Sequence, residues 1–204
     1  MKLVDYVRML RQSPSAREEL LVRLLRLHPL LKVIATDSDG LYLVRHYILH
    51  VLRNRLPGVY LHFINRSDAD RELHNHPWET AASIILWGGY VETRASIRDS
   101  TVAALRYNDQ PRPWLVEHVV PKKRIYRAGD LNVIRKNDFH RLELTSRFTV
   151  TLFVAGHRAQ EEWGFVDLAT GRFETEGQRE ARLERARRDG PSWSDGRKDS
   201  CAGG

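Results

Sequence analysis

Apolar residues recur along this chain in two rhythms, and the change comes near residue 40. Leu20, Leu21, Leu24 and Leu25 in AREELLVRLLRL stand at helical spacing, which gives a helix one apolar stripe. Ser15 followed three residues later by Glu18 reads as a capping box for that helix, and His28-Pro29 as its end. Residues 2 to 11, with Leu3, Tyr6, Val7 and Leu10 on one side, read as a shorter helix before it. LYLVRHYILHVL at 41 to 52 fits both periods. Val44, Tyr47, Ile48, Val51 and Leu52 suit a helix, while the β-branched and aromatic content suits a strand. The strand reading is preferred, followed by a turn at Pro57-Gly58 and a strand over 59 to 65.

From residue 73 onward the pattern is one of short strands between turn residues. Strands are predicted at 81 to 87, 90 to 97, 101 to 106, 115 to 119, 131 to 135, 139 to 144 and 148 to 155. Gly88-Gly89 is a hairpin signal between the first two. Strands this short and this evenly spaced imply an antiparallel sandwich or barrel. Past Gly171 the apolar content falls, and 176 to 204 reads as a charged helix with a disordered Gly/Ser/Asp end. The expected division is a helical segment over 1 to 40, an all-β domain over 41 to 175 and a charged tail over 176 to 204. No internal repeat is visible.

Composition changes this picture little. The chain has 204 residues, 42% hydrophobic and 29% charged, which suits a globular domain with a sizeable core. No apolar run approaches the roughly 20 residues that cross a bilayer, so no membrane association is expected. MKLVDYVRMLRQ carries charge through any would-be apolar stretch and does not read as a signal peptide. The single cysteine, Cys201, has no partner for an internal disulfide, and the expectation is a cytoplasmic protein. The net charge of +7 raises the question of nucleic acid. The basic residues are scattered among acids, and REARLERARR at 179 to 188 alternates in sign like a solvated helix face. A nucleic-acid partner is therefore not expected.

Candidate chemistry lies in the histidines. His74 and His76 are one residue apart in DRELHNHPW. In an extended chain such residues face the same way, so both imidazoles can meet one ion at about 2.0–2.2 Å. Two ligands need at least a third from a neighbouring strand. His140 offers one: Asn137-Asp138 is a tight-turn signal, and in the strand that follows, His140, Leu142 and Leu144 share a face. His140 is equally suited to a core histidine bonded to a backbone carbonyl. His28, His46, His50, His62, His118 and His157 read individually as partly buried, hydrogen-bonded side chains.

Taken together, the two stretches resemble the paired motifs of the cupin superfamily. His74-Asn75-His76 followed by Gly88-Gly89 looks like the first. Gly129, five residues, Arg135, Lys136, Asn137, two residues and His140 keep the frame of the second, with Arg135 in the proline place and Asn137 in the glycine place. HNHPW followed by ILWGGY also looks like a little-characterised, partly phage-borne cupin group. The resemblance implies a double-stranded β-helix, the cupin or jelly-roll barrel, and a metal held by His74, His76 and His140. The glutamate of the first motif falls where Thr80 and Ala81 stand here. Glu79, one place early, is the candidate fourth ligand, with Glu92 and Asp70 as fallback carboxylates or water in their stead.

Neutral imidazoles with open coordination positions suit Fe(II) first, and Mn, Ni or Zn after it. The expected activity is that of a metal-dependent cupin oxygenase, or an isomerase or lyase, acting on a small polar molecule. The alternative is a ligand-binding cupin without turnover, a sensor or regulator, although no helix-turn-helix signature is visible. Trp78, Trp87, Tyr90, Phe139 and Phe153 are candidate cavity walls, and Trp163 a candidate cap. Tyr90 and Trp78 are the expected substrate contacts, with Arg135 and Lys136 placed to hold an anionic group. The apolar stripe of residues 16 to 27 and the open sheet edges lead to a homodimer as the expected assembly.

Overall fold

The computed structural model describes residues 11–27, 31–36, 40–49, 58–68, 72–106, 110–159 and 163–189. The predicted helix over 2 to 11, the helix end at His28-Pro29, Asp70 and the tail beyond 189 lie outside these residues, apart from Arg11. Helix α1 spans Pro14–Leu27. Its cap is Ser13, not Ser15: the Ala16 amide donates to Ser13 Oγ at 3.3 Å. Pro14 then occupies the first helical position, where its missing N–H costs nothing.

Twelve strands follow among the described residues. β1 (Leu31–Thr36), β2 (Gly40–Leu49), β3 (Gly58–Ile64), β5 (Thr80–Trp87), β8 (Leu131–Arg135) and β10 (Thr149–Ala155) form one sheet, in the order β1-β2-β3-β10-β5-β8. β4 (Leu73–His74), β6 (Gly89–Ser96), β7 (Lys122–Arg127), β9 (Asp138–Leu144), β11 (Gly164–Asp167) and β12 (Arg172–Thr175) form the other, in the order β12-β11-β4-β9-β6-β7. All pairings are antiparallel. Residues 31–36, expected within a helical segment, instead extend the first sheet. From β3 to β10 the chain changes sheet at every step except β6 to β7. The inner strands thus read β3-β10-β5-β8 facing β4-β9-β6-β7, a jelly roll of the kind cupins share. Among the described residues no ladder joins the two sheets into a closed barrel.

Period-two alternation sorts the strands into faces. On the first sheet, Leu61, Ile84, Leu86 and Val150 point outward and pack under Ala16, Leu20 and Leu24 of α1. The helical stripe is therefore used on the chain's own sheet. Two predicted strands, 101 to 106 and 115 to 119, are corrected: helix α2 spans Asp99–Arg106 and the one-turn helix α3 spans Pro113–Val116. Val102 and Leu105, three apart, join Val116 against Ala95, Phe139 and Phe173 on the outer face of the second sheet. Helix α4 spans Glu176–Asp189. Among the described residues no helix is long and apolar enough to cross a membrane.

Gly88-Gly89 is not a hairpin, because β5 and β6 belong to different sheets. It is the point where the chain passes from one sheet to the other. Gly88 has φ 71°, and a Cβ there would stand 2.5 Å from the Phe148 carbonyl oxygen. Only glycine takes that conformation at that distance without strain.

Candidate metal centre

Between the two sheets lies a cavity of about 580 Å³. His74 on β4 pairs directly with His140 on β9 in the ladder, which brings their rings to 4.8 Å between centroids. His76, two residues on, completes the group at 5.2 Å from the His74 ring and 5.1 Å from the His140 ring. One candidate ligand atom from each lies within 4.8 Å of the others. His76 Nε2 and His140 Nε2 stand 2.9 Å apart. Two nitrogens at about 2.1 Å from one ion, at right angles, would be about 3 Å apart. The residues present fit a divalent metal.

His140 is oriented from behind. His140 Nδ1 meets Glu92 Oε1 at 2.6 Å, with both side chains almost wholly buried. This leaves His140 Nε2 for the centre. Arg94 and Asn132 hold Glu92 in turn, at 2.8 and 3.1 Å, and Arg94 also donates to the Val133 carbonyl at 2.7 Å. Burial opposes ionisation of Glu92. Its hydrogen bonds and the charges of His140 and Arg94 outweigh burial and hold the carboxyl down at about 2. His74 Nδ1 faces Asp68 Oδ2 at 3.9 Å, and Asp68 is itself tied to the Leu142 amide at 2.6 Å. Burial lowers His74 to about 4, the charge of Asp68 only partly opposing it. His76 is lowered well below its ordinary value, again by burial first and then by His140. Both are neutral near pH 7, the form that ligates metal.

Asn75, the residue between the two motif histidines, is fully buried. Its Nδ2 donates to the Lys136 carbonyl at 3.0 Å, and its Oδ1 accepts from the Gly164 amide at 2.9 Å. It ties the histidine pair to the β8–β9 turn and to β11. Sequence reasoning passed over it, although a polar residue between two inward histidines needs partners of its own.

The other predicted site residues divide. Trp78 lies against His76, rings 5.4 Å apart, and Phe153 and Tyr90 line the cavity. Tyr90 OH accepts from Asn132 at 3.1 Å, and burial pushes the phenol well above its ordinary range. Trp163 sits 6.0 Å from His74 and 6.4 Å from His76. Glu79 is set apart: its carboxylate is half-exposed and pairs with Lys136 at 3.5 Å. The inward carboxylate is Glu92, one layer behind the histidines. Arg135 is exposed and does not line the cavity, because alternation on β8 turns its neighbour Ile134 inward. Trp87 is 47% exposed, and Phe139 points outward into the cluster under α2. Arg45 and His62, which no motif marks, face the cavity from the opposite sheet.

No family profile and no curated protein matches the chain. Solved structures do. HppE in its iron(II) form with substrate is 11% identical over 63% of this chain and 56% of its own, with a TM-score of 0.43. The hydroxypropylphosphonic acid epoxidase from S. wedmorenis is 8% identical over 61% and 55%, at 0.40. An RmlC-like cupin protein from Ralstonia eutropha JMP134 is 11% identical over 78% and 83%, at 0.39. The chain thus spans little more than half of the first two. The fold assignment stands on the strand order, not on these scores.

Proposed function

We propose that the chain is a metal-dependent cupin-type enzyme, an Fe(II) oxygenase acting on a small polar molecule. The observation that carries this reading is the convergence of three imidazoles, His74, His76 and His140, on one wall of the 580 Å³ cavity. When bound there, ferrous iron supplies Lewis acidity and open positions for dioxygen and a chelating group. The protein's own part is orientation and exclusion of water. Glu92 fixes His140 through Nδ1, so the ring cannot turn its other nitrogen to the centre. Trp78, Phe153 and Trp163 wall the space around His76 with apolar surface, which keeps water from a bound substrate. Tyr90, held neutral by burial, presents a phenol fixed by Asn132.

Protein purified anaerobically and analysed for metal should carry about one ferrous ion per chain. Oxygen uptake should then follow when small hydroxy and amino compounds are screened. Manganese, nickel or zinc in place of iron would move the reaction to an isomerase or lyase. Metal without turnover on any compound that binds would favour the sensor reading. Absence of metal at micromolar supply would overturn both.

A further inference from the structure

The wall opposite the three histidines is polar where a core would be apolar. In the ladders of the first sheet, Arg45 on β2 pairs with His62 on β3, and His62 pairs with Thr151 on β10. All three line the cavity, so one row across three strands points three polar side chains at the same space. Arg45 Nε donates to His62 Nε2 at 2.9 Å. That bond places the histidine's own proton on Nδ1. Among the described residues neither Nδ1 nor the terminal amino groups of Arg45 have a hydrogen-bond partner. Thr151 is 1% exposed, and its hydroxyl likewise has none. A buried unpaired hydroxyl is costly in a folded protein.

The three groups share a chemical character. A guanidinium, an imidazole N–H and a hydroxyl all donate, and together they leave no carboxylate to repel an anion. Neighbouring strands lie about 4.8 Å apart, so the outer two members stand about 10 Å apart at the backbone. The long arginine side chain, already laid toward His62, closes much of that gap. Burial and the adjacent Arg45 hold His62 well below its ordinary pKa, so the row carries one positive charge. The ring of Phe153 stacks on His62 at 4.8 Å and meets His76 at 6.4 Å. The polar row and the histidine centre are therefore separated by about one aromatic ring, within the span of a small molecule.

We infer that Arg45, His62 and Thr151 form an oxyanion subsite. It holds a carboxylate or phosphate group of the substrate while the substrate's other end meets the three-histidine centre. The inference rests on the reading of that centre as a substrate-binding metal site, and it takes over the role that Arg135 was expected to fill. The lining adds a restriction: Glu176 and Glu180, both exposed, also line the cavity, so a compound with a single anionic group enters more readily than a polyanion.

The test uses parent, Arg45→Gln and Thr151→Val, each zinc-loaded and metal-free. 3-Hydroxypropionate, inorganic phosphate and propane-1,3-diol are titrated by calorimetry, and melting is followed without ligand. Arg45→Gln keeps a donor for His62 but no charge, and should weaken anion binding about tenfold or more. Thr151→Val keeps the shape, and should weaken anion binding several-fold while melting no lower than the parent. The diol should bind far more weakly than either anion to all three proteins. Whichever anion binds tighter to the parent identifies the oxyanion. Metal-free parent that still binds the anion through Arg45 sustains the subsite even if the metal reading fails. Anion affinity unchanged in both variants, or a diol as tight as the anions, would overturn it.

Discussion

A single pair of atoms frames the residue scale: His140 Nδ1 against Glu92 Oε1 at 2.6 Å. Carboxylate partners of metal-bound histidines typically contribute about 10- to 100-fold in affinity, so Glu92→Gln should weaken metal binding by that order. His74→Ala, His76→Ala and His140→Ala each remove a proposed ligand and should purify with little metal, whereas His118→Ala should retain it. Glu79→Gln should retain it as well, since that carboxylate pairs with Lys136. Elemental analysis across this series decides the ligand set: strong loss in Glu79→Gln would bring that residue back to the centre, and full retention in all three histidine variants would dissolve it. The three histidines were legible as a spacing, with a carboxylate or water expected beside them. Which carboxylate serves was not, because Glu92 reaches His140 through the β6–β9 ladder, across 48 positions of chain.

At the scale of elements, the strands that line the cavity follow the hydrophobic alternation closely. The prediction of 131 to 135 coincides with β8, and 139 to 144 and 148 to 155 fall within one residue of β9 and β10. The segments read wrongly lie on the outside. TVAALR has β-branched residues that suit a strand, but Val102 and Leu105 at helical spacing cover the second sheet. KKRIYR has no apolar alternation, yet it pairs with Gly89 to Arg94 of β6 as an edge strand, with the cationic surface that edges commonly carry. Two substitutions test how the elements are held. Leu24→Ala strips a partly buried contact between α1 and the first sheet, and should cost about 1–3 kcal/mol by urea denaturation. Gly88→Ala meets both a positive φ and the Phe148 carbonyl, and should cost more than about 1 kcal/mol. A midpoint unchanged in Leu24→Ala would mean that α1 does not pack there in solution.

Across the whole molecule, buried neutral histidines couple stability to pH. In the unfolded chain they take up protons near pH 6.5. In the folded metal-free protein His74 does so only at about 4, and His62 and His76 are likewise held well below their ordinary value. Over that window the unfolded state binds more protons, so stability rises with pH. Metal-free protein should therefore lose stability steadily as pH falls from about 6.5 toward 4. Equal urea midpoints at pH 7.5 and pH 5 would contradict it. Assembly rests on different grounds than the apolar stripe, since Leu20 and Leu24 already pack on the chain's own sheet. Among the sheet edges, β8 and β7 carry exposed apolar residues, Val133 and Ile125, for a second copy to cover. Light scattering at micromolar concentration should give a dimer if those edges pair, and only monomer if they do not.

The sequence by itself pointed to the all-β class, to strands β3, β5, β6, β8, β9 and β10, and to the histidine trio, because each rests on local rhythm. Alternation of period two needs no knowledge of partners, and an H-x-H pair with a distant histidine after a turn is a spacing along one chain. Only the tertiary structure decided which sheet each strand joins, so that Gly88-Gly89 became a crossing point instead of a hairpin. It alone decided that Glu92 and not Glu79 stands behind the centre, and that Asn75 pins the histidine pair. It also turned Arg135 outward and set Arg45, His62 and Thr151 in one row facing the cavity. Such juxtapositions come from register between strands far apart in the chain, and a one-residue change in register would send every one of those side chains to the opposite face.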